Sequence, residues 1–140
     1  VYSLLEMISK MQNCGLPCYT MVESKAMSCG AILFAMGQQR FMSPHATLML
    51  HEISSTSIGK IEEIKADAKE TDRLNKLIFK LMAENCKKKN DFFLKLVHKR
   101  NHADCYITAN EAKKLNICTD IGIPTLKVDV TVKYSLEKNI

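Results

Sequence analysis

Tyr19-Thr-Met-Val-Glu-Ser-Lys-Ala-Met-Ser28-Cys29-Gly30-Ala31-Ile-Leu-Phe-Ala-Met-Gly37 is the stretch on which the fold turns. The apolar segment Cys18 to Glu23 reads as a short buried strand, small residues interrupt it, and an apolar helix runs from Cys29 to Met36. Ser28 therefore stands at a strand-to-helix entry, where the first N–H groups of the helix lack intrahelical acceptors and carry partial positive charge. A serine there has two readings. It caps the helix, as serine commonly does, or it presents its hydroxyl out of a tight turn as a nucleophile. In the second reading the Cys29 N–H is placed for a developing oxyanion, and Gly30 lets the backbone pack closely.

Upstream, Val1, Leu4, Leu5, Ile8 and Met11 recur at helical spacing; Gly15 ends that helix and Pro17 bars its continuation. Downstream, Gly37 to Arg40 is a loop, Phe41-Met42 a short strand and Ser43-Pro44-His45 a turn. Thr47 to His51 is a further strand, with His51 at its C-terminal end. Strands and helices alternate through tight connections, which predicts an α/β layered domain with a mostly parallel sheet. Reacting groups in such sheets gather at the carboxyl ends of strands, where Ser28 and His51 both fall.

Glu52 to Ile58 is polar and reads as a loop or an extended edge segment ending at Gly59. From Lys60 to about Lys88 the stripe Ile61, Ile64, Ala68, Leu74, Leu77, Ile78, Leu81 and Met82 is helical. Such a helix runs roughly 40 Å at 1.5 Å per residue, longer than the core of one small domain needs. It is expected to protrude and to form oligomer contacts, its charged face carrying few ordered ion pairs. Asp91 to Lys99 is a second helix, with Phe92, Leu94, Leu96 and Val97 toward the core. Asn101 to Thr108 is a turn leading into an extended piece, and Thr108 with Glu111 forms the capping box of a helix ending near Asn116. Ile117 begins another strand, and Thr125 to Tyr134 alternates apolar and polar residues as a half-buried strand would.

The 140 residues suit one domain, and a chain that opens on Val1 reads as a fragment or a domain of something longer. A composition of 46% hydrophobic and 25% charged residues is that of a soluble globular protein, and no apolar run is long enough to cross a bilayer. The net charge of +5 is spread over helical faces, and the cluster Lys87 to Lys89 reads as a solvated helix end, which argues against a nucleic-acid partner. Six cysteines without a CxxC pair favour free thiols in a reducing compartment over a disulfide framework or a zinc site.

Three motifs in order resemble one family. Ala26-Met-Ser28-Cys29-Gly30-Ala31, Arg40-Phe-Met-Ser-Pro44 with Leu48-Met-Leu-His51, and Asp104-Cys-Tyr-Ile-Thr-Ala-Asn-Glu111-Ala112 are similar to segments of ClpP, the Clp protease proteolytic subunit, within the ClpP/crotonase superfamily. The resemblance covers most of Cys18 to Asp120 and implies a ClpP/crotonase-like layered fold. Lys60 to Lys88 would be its handle helix, and residues 121–140 a divergent C-terminal tail. Position by position it implies Ser28 as nucleophile, His51 as general base and Asp104 as the acid orienting the histidine, with the Cys29 N–H as an oxyanion donor and Ile53 and Gly59 at the substrate groove. No cofactor or metal is implied. The implied activity is that of a serine endopeptidase in an ATP-dependent Clp-type protease, degrading unfolded polypeptides inside homo- or hetero-oligomeric rings fed by an AAA+ ATPase unfoldase. The implied setting is cytoplasm, an organelle stroma or a phage-infected cell, with no membrane or nucleic-acid partner.

Besides this tail, the sequence departs from the family in three places. Cys29 stands where the family has methionine, Glu52-Ile53 follows the histidine in place of glutamine-proline, and the glycine-glycine loop that supplies a second oxyanion donor would lie before Val1. Two further readings therefore stand beside the first: a catalytically inactive ring subunit with a structural or regulatory role, and a superfamily relative such as a viral capsid-maturation protease. His45, His98 and His102 read as loop or surface residues, with His102 a rival partner for Asp104.

Overall fold

The computed structural model describes residues 1–135 and is a mixed α/β domain. Helix α1 (Tyr2–Asn13) buries Leu4 and Ile8, and the chain leaves it through Gly15 at φ 71°, a left-handed conformation glycine adopts without strain. Strand β1 (Tyr19–Val22) and strand β2 (Lys25–Met27) follow, then helix α2 (Cys29–Ala35), strand β3 (Gln39–Met42) and strand β4 (Thr47–Leu50). Helices α3 (Ile61–Asn85) and α4 (Phe92–Lys99), strand β5 (Cys105–Thr108), helix α5 (Ala109–Lys114) and strand β6 (Asp120–Ile121) complete it.

The strands form two small sheets and not one. In the order β1-β3-β6 every pair is parallel; in the order β2-β4-β5 the first pair is parallel and the second antiparallel. The sheet pairs are thus mostly parallel, as expected, but a bend at Glu23-Ser24 moves the chain from one sheet to the other and makes β2 a separate strand. Three residues beginning with an exposed lysine are too short and too polar to announce themselves by pattern. Between the layers, Ile32 and Phe34 of α2, Met42, Leu48 and Leu50 of the sheets, and Phe79 and Met82 of α3 make one apolar core.

Several sequence expectations need correction. Ile117 does not begin a strand, because the N–H groups of Ile117 and Cys118 both turn back to the Ala112 carbonyl (2.8 and 3.2 Å) to close α5, which delays β6 to Asp120. Thr125 to Tyr134 forms no strand. Its alternating apolar residues Leu126, Val128, Val130 and Val132 are exposed, since no partner strand meets them among the described residues. Of the tail, residues 136–140 lie outside the described residues. In α4 the buried pair is Phe93 and Val97, four residues apart, while Phe92, Leu94 and Leu96 are only partly covered.

Helix α3 starts at Ile61 with the Lys60 N–H donating to the Glu63 carboxylate at 3.0 Å. It buries residues only from Leu74 onward, so Ile61, Ile64 and Ala68 of the expected stripe are exposed. Ordered ion pairs do line its polar face, contrary to expectation: Glu62–Lys65 at 2.8 Å, Glu70–Arg73 at 2.7 Å and Asp72–Lys76 at 2.6 Å. Two of these are spaced three residues apart, the neighbour relation that a search at spacing four misses. No described helix is long and apolar enough to cross a membrane, and all six cysteines are free thiols.

Candidate active site

Ser28 and His51 each follow the last residue of a parallel strand, β2 and β4, in one sheet. The Ser28 N–H is bonded to the Met49 carbonyl at 2.8 Å, which anchors the turn to β4. Backbone angles at Ser28 are φ 54° and ψ −123°, a region that L-residues avoid, and the side chain makes no capping hydrogen bond to α2. The hydroxyl is instead 2.7 Å from His51 Nε2. Ser28 thus occupies the N-cap position through its backbone alone, and its hydroxyl lies beside an imidazole that can take its proton.

The N–H groups of Cys29 and Gly30 open α2 and have no protein acceptor among the described residues, as expected of the first turn of a helix. A cavity of about 290 Å³ beside them is lined by Val1, Leu4, Met7, Cys29, Gly30 and Leu33. Gly30 is not explained by close packing. A Cβ there would meet only the Cβ of Ala26 at 4.0 Å.

Asp104 sits one residue before β5 and is exposed. In the antiparallel ladder Leu50 faces Cys105, so continuing the register by one step sets His51 opposite Asp104. Residues directly opposite in such a pair have Cβ atoms roughly 5 Å apart. The ladder stops short of that step, and no hydrogen bond joins the Asp104 carboxylate to His51 among the described residues. Sequence reasoning thus brings together two of its three residues in contact and the third in register.

Ile53 is half-buried against the core, its N–H donating to Asn75 Oδ1 at 3.2 Å. Gly59 is exposed ahead of α3, where a Cβ would meet the Glu63 carboxylate. Neither lies within the cavity beside Cys29. His102 does not pair with Asp104. It bonds Glu52, as does His98, an exposed residue on α4. This convergence was invisible in sequence because the three residues come from separate elements. The hydrogen bond from His102 draws the Glu52 carboxyl below the usual carboxylate range; burial opposes it, and the hydrogen bond from His98 adds to the lowering.

A hydroxyl and an imidazole at the carboxyl edge of a parallel strand pair, beside unpaired N–H groups of a helix entry, define the class of α/β proteins equipped for attack on a carbonyl. Comparison with known families matches residues 1–123 to the Clp protease family, and the chain belongs to that family. Serine peptidase activity and assembly into rings are properties of the family in general.

Proposed function

We propose that this protein is the proteolytic subunit of an ATP-dependent Clp-type protease, a serine endopeptidase cutting unfolded polypeptides within an oligomeric ring chamber. The observation that carries the reading is the Ser28 Oγ to His51 Nε2 distance of 2.7 Å at a strained turn whose hydroxyl has no capping role. In this mechanism His51 takes the Ser28 proton as Oγ attacks the peptide carbonyl, the Cys29 N–H donates to the oxyanion, and His51 returns the proton to the leaving amine. Water then repeats the sequence to release the acyl group. Asp104 is assigned to the imidazole Nδ1, with contact completed when the β4–β5 ladder closes by one further step. Ile53 and Gly59 are assigned to the segment along which the substrate strand lies. The exposed N-terminal half of α3 supports ring-to-ring contact, and delivery of substrate by an AAA+ ATPase is assigned by analogy with the family.

A fluorophosphonate probe on the assembled protein is expected to label Ser28, with labelling and peptide hydrolysis both lost in Ser28→Ala and His51→Ala. Labelling that survives Ser28→Ala overturns the assignment. A second reading, an inactive ring subunit, is favoured by one observation: the exposed Asp104 carboxylate has no hydrogen bond to His51. Turnover by the purified homo-oligomer without any other subunit excludes it.

A further inference from the structure

Behind His51 lies a cluster that the proposed proteolysis does not use. Glu52 directs its carboxylate to two imidazoles: Oε1 is 3.1 Å from His98 Nε2, and Oε2 is bonded to His102 Nδ1. The two rings stand 4.3 Å apart between centroids. His102 reaches this position because Asn101 and His102 both take φ 57°, which folds the chain back over the end of α4. From the interior side, buried Asn75 of α3 donates Nδ2–H to Glu52 Oε1 at 3.2 Å while its Oδ1 accepts the Ile53 N–H.

We propose that Glu52, His98 and His102 form a binding site for a divalent transition cation, with Zn²⁺ the best match. Two imidazole nitrogens and one carboxylate oxygen suit Zn²⁺ and its first-row neighbours, whereas Ca²⁺ and Mg²⁺ prefer all-oxygen sets. One donor atom from each residue lies within 4.8 Å of the others. Ligands at about 2.0–2.1 Å around a tetrahedral ion stand roughly 3.4 Å apart, so small side-chain adjustments complete three positions. The side chains are 30–59% exposed, which leaves the fourth position to water or a small ligand. Asn75 plays the outer-shell part, holding the carboxylate in orientation.

The site ties the exit of β4 to the turn that carries Asp104, two residues beyond His102. Its effect on turnover rests on the proteolytic reading. A bound ion fixes the arrangement in which Asp104 is not bonded to His51, and so slows hydrolysis.

The test uses untagged full-length protein carrying Cys14→Ser and Cys18→Ser, because those thiols lie 3.6 Å apart and would compete for the metal. Calorimetric titration with Zn²⁺ is expected to give one site per protomer, and Co²⁺ to give the visible absorption of a tetrahedral ion. His98→Ala and His102→Ala should each weaken binding roughly 10- to 100-fold or more, since even loss of an outer-shell partner has that effect. His45→Ala, at an exposed turn, should not. Absence of a saturable site, or affinity unchanged in both variants, overturns the proposal. In the activity arm, Zn²⁺ should inhibit peptide hydrolysis by the parent and not by His98→Ala. Binding without inhibition removes the clamp on Asp104 and leaves the metal site standing. Failure of all hydrolysis strikes the proteolytic reading and leaves the titration untouched.

Discussion

Ser28 Oγ and His51 Nε2 meet at 2.7 Å across the ends of two parallel strands, and Ser28 holds that position from a backbone conformation of φ 54° and ψ −123°. Such a conformation costs a non-glycine residue about 1–3 kcal/mol. Ser28→Gly should therefore be more stable than Ser28→Ala by about 1 kcal/mol, after allowing for the greater chain entropy of glycine in the unfolded state. Both lack the hydroxyl, so both should be unlabelled by a serine-directed probe. Urea denaturation of the pair is the measurement, and a less stable glycine variant would mean the turn is not strained.

Asp104 is one ladder step from His51, and it is exposed. If the step closes in the working assembly, Asp104→Asn should lower kcat by about 10⁴-fold, the scale of losing the carboxylate that fixes the histidine tautomer. In the isolated chain the thermal midpoint should not move, since the Asp104 side chain has no hydrogen-bond partner among the described residues. A kcat within a few-fold of the parent would remove Asp104 from the mechanism.

The thiols should separate by reactivity. Hydrogen bonding to the Leu16 backbone and then to Cys18 lowers the Cys14 thiol, whereas burial pushes Cys86 up to about 11 and also raises Cys105 and Cys118. Thiolate is the reactive form. Iodoacetamide near pH 8, followed by peptide mass spectrometry, should modify Cys14 early and leave Cys86, Cys105 and Cys118 untouched until unfolding. The folded value of Cys86 lies above its reference value of 9.0, so its contribution to stability is complete below about pH 9 and is lost as pH rises through about 11. Native labelling of Cys86 at the rate of Cys14 would contradict this.

What the sequence made legible follows from what each pattern encodes. The Ser28 turn, the helices and the strand ending before His51 rest on local periodicity and end signals, and all were found within a few residues. The split into two sheets was not legible, because it depends on a bend at Glu23-Ser24 and a three-residue strand. The tail from Thr125 shows the converse. Alternation is necessary for a half-buried strand, but without a partner to pair with it produces none. In the sequence Glu52 reads as a departure beside the base and His98 and His102 as loop or surface residues, each singly, because only tertiary structure joins residues 46 and 50 positions apart.

Arg40 belongs to a motif that carries the family resemblance, yet its part in the fold is structural. The side chain is buried, and its guanidinium donates to the carbonyls of Ile117 (2.8 Å), Gly37 (2.8 Å) and Asn116 (3.0 Å), with no carboxylate partner among the described residues. Its backbone N–H also donates to Thr119 Oγ1 at 2.8 Å, so β3 is tied to the link between α5 and β6. Arg40→Met fills similar space but deprives those carbonyls of a donor. Gly37 keeps the Asn85 amide at 3.1 Å, whereas Ile117 and Asn116 lose the guanidinium bond. Unsatisfied buried carbonyls cost about 1–3 kcal/mol each, which sets the expected destabilisation at about 3 kcal/mol in urea denaturation. Ser28 and His51 lie in the other sheet, so peptide hydrolysis by the fraction still folded should retain its kcat. A collapse of kcat in protein that circular dichroism and denaturation show to be folded would instead assign Arg40 to the active site.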